Sequence, residues 1–62
     1  MNESIVTQYE ELKVLVEILQ TDVLKNAQGN KSAGVRARKA LREVKKAAAG
    51  LVKSSLTHDK ND

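Results

Sequence analysis

Apolar residues recur through the first half of the chain at Ile5, Tyr9, Leu12, Val16, Leu19 and Val23, spaced 4, 3, 4, 3 and 4 apart. That spacing predicts a helix from about residue 4 to 27 with a seam close to a heptad coiled coil. Leu15 and Ile18 widen the stripe into the broader face of a bundle helix, with Tyr9 expected in the core and its hydroxyl at the rim. Asn2 or Ser4 is expected to cap its start. The segment NAQGNKS then reads as a turn at about 28–31, in which Gly29 suits the left-handed position after a helix and Asn30 or Ser32 caps the next one. A second stripe follows at Gly34, Ala37, Leu41, Val44, Ala48, Leu51 and Ser55, predicting a helix from about 32 to 56. Its members are mostly small, so it can approach a bulkier neighbour closely. Gly50 either permits such contact or marks fraying, and THDKND from Thr57 onward is expected as a loose end.

The fold expected from this pattern is all-α: residues 1–62 form one antiparallel two-helix hairpin, associating into a four-helix bundle. Length supports association. A chain of 62 residues buries only about 60% of its unfolded surface, which leaves a monomer marginal. Cysteine is absent and His58 is the single histidine, so neither a disulfide nor a Cys- or His-built metal site stabilises one chain. A homo-oligomer is the default. No cofactor and no small-molecule substrate are expected. The start is not basic like a signal peptide, no run is apolar enough for a membrane span, and the absence of cysteine fits a cytoplasmic setting.

Charge changes the picture. Residues 1–28 carry five acids (Glu3, Glu10, Glu11, Glu17, Asp22) and two bases, a net of −3. Residues 29–56 carry eight bases and only Glu43 as an acid, a net of +7. With Gly34 set at 0° and about 100° per residue, Ala37, Ala40, Leu41, Val44, Ala48, Leu51 and Val52 fall between roughly 240° and 360°. Arg38, Lys39, Arg42, Lys45, Lys46 and Lys53 fall between roughly 20° and 140°, and no acid shares that arc. Arg36 sits apart near about 200°, beside Glu43. Pairs such as Arg38/Arg42 stack like charges, which costs a little stability and calls for a partner outside the helix. The acids of the first half are one such partner, but exposed pairs contribute at most about 1 kcal/mol each. A nucleic-acid backbone is the commonest other.

The run Gly29–Asn30–Lys31–Ser32–Ala33–Gly34–Val35–Arg36–Ala37–Arg38–Lys39–Ala40, followed by Glu43–Val44–Lys45–Lys46, resembles the bacterial linker-histone-like family, small nucleoid proteins of the chlamydial type. That resemblance implies sequence-tolerant DNA binding and chromosome condensation, with Lys31, Arg36, Arg38, Lys39, Lys45 and Lys46 as phosphate contacts. Arg42 and Lys53 join them from the helical wheel. Two features depart from the family pattern. An aromatic-plus-basic close reads Leu51–Val52–Lys53 here, and the Lys/Ala/Pro-rich tail of long members has no counterpart. Bridging of duplexes is then expected to need dimerisation.

Other functions are less well supported. A helical oligomerisation or protein-interaction module without nucleic-acid binding fits both apolar seams, and early elution from heparin would favour it. A lipid-surface helix lacks a Trp or Phe anchor. Catalysis lacks a phosphate loop or a Ser/His/Asp set, and His58 reads as an ordinary surface residue.

Overall fold

The computed structural model describes residues 2–60, and all of its regular structure is helical. Helix α1 runs Glu3–Ala27 and α2 runs Lys31–Lys60, packed antiparallel as a hairpin of 48 × 15 × 11 Å.

Local hydrogen bonds explain where each helix begins and ends. The Ile5 N–H donates to Asn2 Oδ1 at 3.1 Å, so Asn2 rather than Ser4 caps α1. At the other end Gly29 takes φ 102°, a conformation a side chain would strain. There the Gly29 N–H reaches Asn26 O at 2.9 Å and the Asn30 N–H reaches Lys25 O at 3.0 Å. These two bonds form the Schellman pattern that satisfies carbonyls left over at a helix end. Asn30 also serves α2: its Oδ1 accepts from the Ala33 N–H at 2.9 Å. One asparagine thus finishes one helix and starts the next, and Ser32 lies inside α2.

The packing face of α1 is rotated from the expected seam. Ile5, Leu12 and Leu19 do turn toward α2, but they alternate with Gln8, Leu15 and Asp22 rather than with Tyr9, Val16 and Val23. Tyr9 is 54% exposed, so the expected core tyrosine is a surface residue. Val16 and Val23 are exposed as well, and so is Ile18. The reason lies in α2. Its covering face consists of Ala33, Gly34, Ala37, Ala40, Val44, Ala47, Ala48, Leu51 and Ser54, a narrow strip that can shield only one stripe of an α1 that is apolar on several sides. Leu41 and Ser55, expected on that strip, are exposed. Burial is deepest near the turn, at Leu19, Ala33, Gly34 and Ala37. Bulk comes from α1 and close approach from α2.

The segment Thr57–Lys60, expected as a loose end, is helical, while Asn61 and Asp62 lie outside the described residues. Extending an existing helix costs far less than starting one. Two contacts hold the extension: Thr57 Oγ1 donates to Lys53 O at 2.9 Å, and the Asn2 amide lies 3.2 Å from His58 Nδ1. Basic Lys60 also suits the negative end of the helix dipole. Gly50 neither frays α2 nor admits a neighbour, because the helix continues through it and a Cβ there would meet nothing within 4 Å.

Candidate nucleic-acid interface

Angular position along α2 builds the site. The strip packed on α1 is centred near about 260° on the wheel that places Gly34 at zero, so the outer edge of the hairpin lies near about 80°. Arg38, Lys39, Arg42, Lys45, Lys46 and Lys53 surround that outer edge, and all six are exposed. Lys31, the first helical residue, falls near about 60° and continues the same line. From Lys31 to Lys53 the stripe is about 33 Å long at 1.5 Å per residue. That length is about one turn of B-form DNA.

Arg36 is the exception among the sequence-predicted bases. It lies on the flank of α2, where Nη2 and Nε donate to Asp22 Oδ1 at 3.1 and 3.2 Å. This is the one ion pair among the described residues. Asp22 is exposed over a quarter of its side chain and Arg36 over half, so the pair contributes at most about 1 kcal/mol. The structure therefore gathers seven of the eight predicted bases onto one edge and directs the eighth to α1.

Sequence reasoning missed this pair, although a signal existed. A turn centred on Gly29 pairs α1 and α2 positions whose numbers add to about twice that value, and Asp22 and Arg36 satisfy the sum. It also missed Asn26. A Cβ on Gly34 would come within 2.9 Å of Asn26 Cγ and 3.2 Å of Arg38 Nη1, so Gly34 leaves a notch that the Asn26 side chain fills.

The opposite edge has the opposite sign. On α1, Glu3, Glu10 and Glu17 recur every seven residues on the side turned away from α2. With Lys and Arg along one long edge and glutamates along the other, the hairpin is a bipolar plate. Among the described residues no helix is long and apolar enough to cross a membrane.

A two-helix protein with a cationic edge of this length is, as a class, a small basic helical protein built around an unpaired charged surface. The chain belongs to the histone H1-like protein Hc1 family, whose model matches residues 6–61. It is thus a histone-like protein of the chlamydial type, from a family of structural DNA-binding nucleoid proteins. No curated protein and no solved structure matches it.

Proposed function

We propose that the protein binds duplex DNA on the nucleoid with little regard to sequence, holding the phosphate backbone along the outer edge of α2. Lys31, Arg38, Lys39, Arg42, Lys45, Lys46 and Lys53 make the contacts in this reading, and Arg36 braces the hairpin through Asp22. The carrying observation is that the basic stripe lies opposite the packing face of α2, with no acid in its arc.

Little on that edge reads bases. It carries no Asn or Gln suited to pairing with adenine, so phosphate contacts and counterion release dominate. Tyr9, the single aromatic, lies on α1 away from the stripe, which disfavours recognition of unstacked single strands.

Self-association belongs to the same reading. Exposed Tyr9, Val16, Leu41 and Val52 leave each hairpin with apolar surface that a second copy can cover. A homo-oligomer, such as a four-helix bundle, multiplies the basic edges and allows duplexes to be bridged.

The test is a titration of duplex DNA at several salt concentrations. With about four of these seven bases on phosphate at one time, log K against log salt is expected to slope at about −3.6. Replacing Arg38, Lys39 and Arg42 together with Ala should flatten that slope. Failure to bind at low salt, or indifference to the triple substitution, refutes the reading.

A further inference from the structure

The isolated hairpin has more surface than its mass warrants. Its accessible area is 5031 Å², whereas a folded monomer of 6.8 kDa is expected to expose about 4,000 Å². The excess, about 1,000 Å², is comparable to the roughly 800 Å² that each partner covers in a standard protein interface.

The Arg36–Asp22 pair reveals which face that excess occupies. The two residues lie on the same side of the hairpin, one from each helix. Tyr9, Val16 and Val23 lie on the flank of α1 opposite Asp22, and Leu41 and Val52 on the flank of α2 opposite Arg36. All five therefore share the other broad face, and each is at least 39% exposed. The face with Arg36 also carries Glu11, Asp22 and Glu43 around one exposed isoleucine, Ile18, which makes it the more polar of the two.

Two hairpins stacked on that apolar face have two twofold arrangements. A twofold axis across the helices lays α2 on its own copy and crowds Arg38, Arg42 and Lys45 against the same residues of the partner. An axis along the helices lays α2 of one chain over α1 of the other, which brings those bases beside an edge that carries Glu10 and Glu17 with Lys13 as its one base among them. Like charges in register are destabilising and opposite charges favourable.

We infer that two copies of this chain pair through the Tyr9, Val16, Val23, Leu41 and Val52 face with α2 over the partner's α1, so that the two basic stripes lie on opposite edges of a four-helix bundle. Lys39, Lys46 and Lys53 point away from the contact on each edge and remain available to phosphate. The dimer then holds two duplexes apart instead of doubling its grip on one. This pairing rests on the reading of the stripe as a DNA surface only for that consequence; the assembly itself is tested without DNA.

The chain has no cysteine, so each one introduced is unique. Val16 and Leu41 both lie near the middle of the rod, on the proposed face. Val16→Cys and Leu41→Cys chains are mixed in DNA-free buffer, oxidised and resolved by intact mass. A mixed disulfide well above its statistical share is expected. Predominance of Val16→Cys joined to itself indicates the crosswise axis and overturns the arrangement. A chain that sediments as a monomer throughout overturns the dimer yet leaves DNA binding by single hairpins standing. In parallel, Val16→Lys should weaken self-association at least about 30-fold, whereas Ile18→Lys, off the proposed face, should not. Equal effects of the two overturn the choice of face.

Discussion

Arg36 of α2 reaches across the hairpin to Asp22 of α1, with Nη2 3.1 Å and Nε 3.2 Å from the same carboxylate oxygen. The contact takes one cation out of a basic segment and leaves the others on the far edge. It marks the rotational setting in which the small-residue strip of α2 packs on α1 and leaves Tyr9, Val16 and Val23 exposed.

The two roles of arginine are separable. Arg36→Ala should cost at most about 1 kcal/mol of stability, because the pair is largely solvated. Its effect on DNA affinity should be smaller than that of Arg42→Ala. Thermal denaturation and a salt-dependent DNA titration of the two variants check both statements.

Each base on the outer edge should act mainly through charge. Arg42→Ala is expected to reduce the magnitude of the salt slope by about 0.9, the value for one lost phosphate contact. Lys13→Ala, on the acidic helix, should leave the slope unchanged. Fluorescence anisotropy with a labelled duplex at several salt concentrations measures the difference.

The turn depends on two residues with different duties. Asn30→Ala removes the acceptor for the Ala33 N–H and should cost about 1 kcal/mol. Gly29→Ala places a side chain at φ 102°, with a cost of about 1 kcal/mol or more. Both should lower the urea midpoint, while Asn30→Gly should cost only about a few tenths of a kcal/mol and shift it little.

Gly50 offers the reverse test. A Cβ at this position meets nothing within 4 Å, and Ala is favoured over Gly inside a helix by about 1 kcal/mol. Gly50→Ala should raise the melting temperature with no loss of DNA affinity. Loss of affinity would instead show that the bare backbone is needed where the partner approaches.

Much of the hairpin was legible from local pattern. Gly29 and Asn30 announce the turn because each meets a stereochemical need within a few residues: a positive φ and a free acceptor. The basic edge was legible too, since once α2 is a helix its wheel separates Lys and Arg from Ala and Gly. The rotation of α1 was not. Tyr9, Val16 and Val23 have the same spacing as Gln8, Leu15 and Asp22, so periodicity alone cannot choose between the stripes. The helical continuation through Thr57–Lys60 was hidden for a related reason: those residues are polar, and their support comes from Asn2, which is distant in sequence.

By itself, the order of residues determined that there are two helices, where they turn and how charge divides between them. Those properties arise from hydrogen bonds and angular offsets inside one rod. Tertiary structure decided which side of α1 faces α2, that Arg36 is held by Asp22, and that Tyr9, Val16 and Val23 remain outside. Such choices depend on the shape and charge one rod offers another, and α2 offers a strip of small residues too narrow to cover more than one stripe of α1.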